Sequence, residues 1–323
     1  MTTPSIRRGV RRRVSCVVVL VAVLVAVACT GRPDGGHTLS VHAPGALVLS
    51  PDGATAYVTD QTDGLVRAVE TATGREHLPV EAPFTDSLTI DHHGGRLFAF
   101  SRAAGAVAVI DPVQMTVAER ISAQDPVAVA VAPDDTRAYV ASSRGGTVTV
   151  VDMASGAAVD RPVGALPSDV VAAGRHVYVA LAASRTIAVL TPDGVVTGTV
   201  RLPTSAVTEE DPVRLGVTPD ETTLLTLDPV RGELYLVDPS TSTLLATLGA
   251  AAGASMLRMS ADGRRAYVVA TTTHEVAEID VAARAQVATV PVGCTPGAIA
   301  EAPDGSALLA TCTDQDEVSV VPR

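Results

Sequence analysis

Lysine is missing from all 323 residues: the 24 basic side chains are Arg, set against 35 Asp and Glu. The resulting formal charge of −11 argues against a nucleic-acid partner, whose phosphates demand a basic surface. Trp is also absent, and five Tyr with three Phe leave aromatics at 2%. That is too few rings for a protein that grips sugars or bases by stacking. No Gly-X-Ser-X-Gly elbow, Walker loop or Cys-X-X-Cys-His site occurs. The seven histidines (His37, His42, His77, His92, His93, His176 and His274) lack a second ligand at metal-binding spacing on the same strand. A helical hydrophobic period is not sustained in the repeating part of the chain. What remains is 47% apolar, enough to build a large core.

The N-terminus reads as a targeting segment. "MTTPSIRRGVRRR" carries five Arg and no acid, and "VSCVVVLVAVLVAVA" from Val14 to Ala28 is an uncharged apolar run. Fifteen residues are short for a bilayer span. "AVAC", from Ala26 to Cys29, looks like a bacterial lipobox. We therefore expect a signal peptide over residues 1–28, diacylation of Cys29, and a membrane partner through that lipid. Plain secretion with a free Cys29 is the alternative. Cleavage would take the formal charge from −11 to −16. "TGRPDGG", from Thr30 to Gly36, completes a flexible tether over residues 29–36.

The rest of the chain repeats. "PDGATAYVTD" at Pro51, "PDDTRAYVAS" at Pro133 and "APDGSALLAT" at Ala302 each set a tight turn before a small apolar strand. Aligned on the apolar residue after that turn, seven anchors appear: Tyr57, Phe98, Tyr139, Tyr178, Leu225, Tyr267 and Leu309. Their spacings are 41, 41, 39, 47, 42 and 42 residues. Within each unit lie four short alternating runs separated by turn clusters. This pattern predicts an all-β chain: a seven-bladed β-propeller of four-stranded antiparallel blades over residues 37–323. "YVTD" at Tyr57, "YVAS" at Tyr139, "YVAL" at Tyr178 and "GTVTVVD" at Gly146 resemble the YVTN-family propeller repeat. The resemblance covers nearly all of the mature chain and speaks to fold, because such scaffolds serve many functions.

The last unit is one strand short. "HTLSV", from His37 to Val41, precedes the first unit and is expected to complete the seventh blade and close the ring. In the same blade, "GCTPGAIAEAPDGSALLATC" forms a hairpin about Asp304. It places Cys294 and Cys312 on neighbouring strands at one end, near enough for a disulfide in an oxidising compartment.

Alternating strand direction gathers the loops before each first strand with those between second and third strands on one face. Asp86, Asp125, Asp169 and Asp211 belong to that acidic face. Arg102, Arg144, Arg185 and Arg231 sit in its loops, while Arg214 and Arg258 stand in first strands, which line the axial channel. Converging carboxylates can hold a cation, but no Asp-X-Asp-X-Asp-Gly loop is present, so neither metal nor cofactor is expected. With so many acids close by, the channel arginines are expected to be paired internally. Two function classes remain: a non-catalytic, lipid-anchored binding or scaffold protein, taking an unknown protein or small-molecule ligand at the channel face, or a hydrolase or lyase resembling propeller lactonases. A channel mouth with converging His, Glu and Arg would favour the enzyme.

Overall fold

In the computed structural model, residues 37–202 and 213–323 are described. The expected signal peptide, Cys29, the tether and Asp211 lie outside them. The described residues fold into strands and turns with no helix.

A strand β1 (His37–Ser40) comes first. Blade 1 comprises β2 (Pro44–Leu49), β3 (Thr55–Asp60), β4 (Leu65–Glu70) and the two-residue β5 (Val80–Glu81). Blade 2 comprises β6 (Ser87–Ile90), β7 (Leu97–Ser101), β8 (Ala106–Asp111) and β9 (Thr116–Ser122). Blade 3 follows with β10 (Pro126–Val131), β11 (Arg137–Ser142), β12 (Thr147–Asp152) and β13 (Ala158–Pro162). Blade 4 has β14 (Pro167–Ala173), β15 (His176–Leu181), β16 (Thr186–Leu190) and β17 (Val196–Arg201). Blade 5 has β18 (Arg214–Val217), β19 (Leu224–Asp228), β20 (Glu233–Asp238) and β21 (Thr243–Gly249). Blade 6 has β22 (Ala254–Met259), β23 (Arg265–Ala270), β24 (Glu275–Asp280) and β25 (Ala285–Pro291). Blade 7 supplies β26 (Pro296–Glu301), β27 (Ala307–Cys312) and β28 (Glu317–Pro322).

All seven sheets are four-stranded and antiparallel, each a meander except the last. There the order is β1-β28-β27-β26, with His37 opposite Val320 and Ser40 opposite Glu317. The N-terminal strand thus closes the ring, as the short last repeat predicts. Leu39 is the reason it holds: it is 1% exposed and packs into the layer between blades 7 and 1. First strands of successive blades touch around the whole circuit, β26 meeting β2.

Strand starts and turns follow local chemistry. Pro44, Pro126, Pro167 and Pro296 open first strands, where a missing N–H costs no ladder bond. A register shift follows each of these prolines. The Pro-Asp turns are tied by the Asp side chain. Asp52 accepts hydrogen bonds from Ser50 Oγ at 2.6 Å and Ala54 N at 3.0 Å; Asp220 repeats the arrangement, as does Asp262 in an Ala-Asp-Gly turn, while Asp304 accepts both the hydroxyl and the N–H of Ser306. Gly53 finishes the first turn at φ +71°, and a Cβ there would meet Pro303 Cδ at 2.6 Å.

The core is divided. Among the described residues it forms seven apolar layers, each pressed between two neighbouring blades. The seven anchors all lie in second strands and are all buried, Tyr57 the most exposed at 6%. Alternate strand residues face opposite sides, so every second and third strand feeds the layers on both sides of its blade. Those strands are accordingly buried almost end to end, while outermost strands such as β13 and β17 are mostly exposed.

Cys294 and Cys312 form a disulfide with their Cα atoms 5.5 Å apart. Cys312 ends β27, whereas Cys294 sits in the turn ahead of β26 and not within it. The sequence reading of that hairpin places Cys294 at the start of the first strand; the strand begins two residues later, at Pro296, which pairs with Cys312.

Candidate functional site

A cavity of about 850 Å³ opens along the channel between the first strands of blades 2 to 6. Equivalent positions on these strands are fixed by their pairing partners. Opposite the seven anchors stand Val48, Thr89, Ala130, Val171, Gly216, Arg258 and Ala300. Six are small or apolar and one is Arg. Two residues earlier in each strand, nearer the acidic face, the same reckoning gives Ser87, Ala128, Asp169, Arg214 and Met256 on blades 2 to 6. Asp169, Arg214 and Arg258 therefore form a polar arc across three successive blades, in a wall otherwise built largely from Val, Ala, Leu and Met.

Asp169 follows the register shift after Pro167, which turns its carboxylate toward blade 5. One oxygen accepts Val170 N and the other accepts Leu215 N, both at 2.9 Å. Burial pushes its pKa up, against the opposing pull of Arg214, these two N–H groups and Arg258. Arg214 Nη1 donates to Ser168 O at 3.3 Å. Arg258 lines the channel and is exposed to it. Among the described residues it has no partner at hydrogen-bond or ion-pair distance. Burial pulls its pKa down, while Asp169 acts through space to raise it and Arg214 to lower it. Among the described residues no acid bonds Arg258; Asp169 accepts one backbone N–H on each oxygen.

The loop arginines are paired. Asp86 accepts Arg102 N at 2.7 Å, with Arg102 Nε 3.7 Å from the other oxygen, and both residues line the mouth of the cavity. Arg144 Nε lies 3.9 Å from Asp125, which is not among the lining residues. Arg185 donates through Nη2 to the fully buried Asp228 at 2.8 Å, leaving its buried Nε and Nη1 without partners. Arg231 bonds Tyr235 Oη and flanks Asp228 and Glu233.

One grouping escapes any reading along single strands. His42, Asp60 and Asp63 bring potential metal-ligating atoms within 4.8 Å of one another. Arg67 already occupies the charge at that place, reaching Asp60 at 2.8 Å and Asp63 at 3.0 Å. Both Asp60 oxygens are engaged, one by Arg67 and the other by the Thr62 and Asp63 N–H groups. Arg67 makes the cluster a salt-bridged hairpin joint.

No family model matches the chain, and no curated protein matches its sequence. Solved structures do match in shape. A hydrazine synthase chain from Kuenenia stuttgartiensis superposes with a TM-score of 0.76 at 19% identity, covering 91% of this chain and 99% of that one. The structure of U3-55K gives 0.73 at 13% identity, covering 89% and 98%. The β-propeller domain of Cps50 (Swd1) from Myceliophteria thermophila gives 0.74 at 12% identity, covering 88% and 97%. At such identities the likeness is one of fold: the chain is a seven-bladed β-propeller, and its chemistry has to be sought in the channel.

Proposed function

We propose that this protein is a non-catalytic binding propeller, held outside the cytoplasmic membrane by a lipid on Cys29, that takes a small-molecule ligand in its channel. Its repeats are read as YVTN-type, in keeping with "YVTD", "YVAS" and "YVAL". One observation carries the binding reading: the channel is an open cavity and not a plug of side chains, and its described lining contains no His, Cys or Glu. Carboxylates do line it in Asp86 and Asp169, but Asp86 is paired with Arg102 and each Asp169 oxygen accepts a backbone N–H. This supports retention of a ligand better than proton transfer to one.

The test has two arms. Fractionation of cells expressing the full chain should find it with membranes, and Cys29→Ala should release it or stall its processing; unchanged membrane association of the variant defeats the anchor. Full-length protein extracted from membranes is then melted against a panel of small organic acids, alcohols and lactones, each recovered afterwards. A raised melting temperature with the compound recovered intact supports binding. Ring-opened lactone or eliminated product in the recovered pool would replace the proposal with the hydrolase or lyase reading.

A further inference from the structure

Arg258 is an exception that the fold does not need. Six blades complete the equivalent position with Val48, Thr89, Ala130, Val171, Gly216 or Ala300, and each closes against its buried anchor without a charge. Arg258 also does nothing for its neighbours, since among the described residues it makes no hydrogen bond and no ion pair. A guanidinium exposed to the channel, with no anion bonded to it among the described residues, is open to a ligand, and planar oxyanions are its natural complement.

The charge count of the arc narrows the ligand. Arg258 and Arg214 supply two positive charges and Asp169 one negative charge, while Arg102 and Asp86 at the mouth cancel each other. Among the described residues the excess is one positive charge, which suits a monoanion. Next to the arc the wall is apolar, with Met256, Met259 and Val127 lining the cavity. Gly216 keeps that wall clear. A Cβ there would meet Met259 Cγ and Sδ at 2.9 Å, so glycine is what lets Met259 lie back against blade 5.

We propose that the channel binds a small organic monocarboxylate, its carboxylate on Arg258 beside Arg214 and its apolar body along Met256, Met259 and Val127. This rests on the channel being a binding site, and the experiment separates the two ideas. Full-length protein is titrated calorimetrically with cyclohexanecarboxylate, with cyclohexanemethanol as the neutral analogue, and with inorganic phosphate. The wild type should bind the carboxylate at least tenfold more tightly than the alcohol. Arg258→Met should remove that tenfold preference, leave the alcohol's affinity unchanged and leave the melting temperature in place, because Arg258 bonds to no other described residue. Asp169→Asn should turn the preference toward succinate, a dianion, by taking away the negative charge of the arc. Equal binding of acid and alcohol, unaffected by Arg258→Met, would overturn the carboxylate assignment while sparing the channel as a site. Phosphate bound more tightly than the carboxylate would overturn it in favour of an inorganic anion. Binding of none of the three removes both ideas.

Discussion

A buried charge is governed by its partner, and Asp228 shows the rule. It is fully buried at the end of β19, where it accepts Arg231 N at 3.0 Å and Arg185 Nη2 at 2.8 Å. Arg185 has no second partner, its other buried nitrogens being bare. Asp228→Ala should therefore cost about 3–5 kcal/mol, the usual result of stranding one member of a buried pair. Adding Arg185→Met should recover much of that loss, since an apolar side chain of similar reach has no charge to strand. Urea denaturation of the two variants decides it, and equal instability would show that the stranded guanidinium is not the source. Tyrosines at this scale behave as apolar anchors with one wet end. Tyr139 is 1% exposed with its hydroxyl donating to Pro192 O at 3.1 Å, and burial pushes its pKa up to about 12.

At the scale of the element, the Pro-Asp turns make the blade hairpins sensitive to acid. Hydroxyls of Ser50, Thr136, Thr218 and Ser306 hold Asp52, Asp134, Asp220 and Asp304 below the usual carboxylate range; for Asp262 the Arg264 N–H leads and Ser260 follows. A carboxyl with a lowered pKa in the folded state stabilises fully above its unfolded pKa of about 4 and ceases to as pH falls through the folded value. The melting temperature should thus stay level from neutrality to about pH 5 and decline progressively below about pH 4. A thermal-melt series between pH 7 and pH 2 checks this, and a flat profile contradicts it. These turns are also why the hairpins were legible in the sequence: Pro, Asp and Gly act locally, and each of the seven anchors falls in a second strand as the spacing implies. The register shifts were not legible, because a bulge depends on how a strand meets its partner. The engagement of Asp169 by Val170 and Leu215 was hidden for the same reason, since counting acids along a chain cannot reveal which backbone N–H groups they meet.

For the whole molecule the decisive joint is blade 7, where β1 supplies the outer strand and the disulfide ties the turn before β26 to the end of β27. Both features were readable from the sequence, one from the incomplete last repeat and the other from two Cys bracketing a Pro-Asp-Gly turn. Deleting His37–Val41 should bare the edge of β28 and remove Leu39 and Val41 from the layer between blades 7 and 1, so that the ring as a whole melts at lower temperature. Reducing the Cys294–Cys312 bond, with its sequence separation of 18, should cost about 3 kcal/mol in the chain-entropy account. Scanning calorimetry of the deleted and the reduced protein compares the two. A deletion without effect on melting would mean that β1 is not what closes the ring.

The seven separate layers also set how far a change in this sequence can be felt. Val150 and Val179 share the layer between blades 3 and 4, so the volume of one constrains the other. Neither shares a partner with Val268, which belongs to the layer between blades 5 and 6. Substitutions in distant layers should add in their effects, and those within a layer should not. The chain is accordingly free to drift one interface at a time, each pair of blades repairing its own losses. A residue such as Arg258 can then arise in one blade without the other six having to accommodate it.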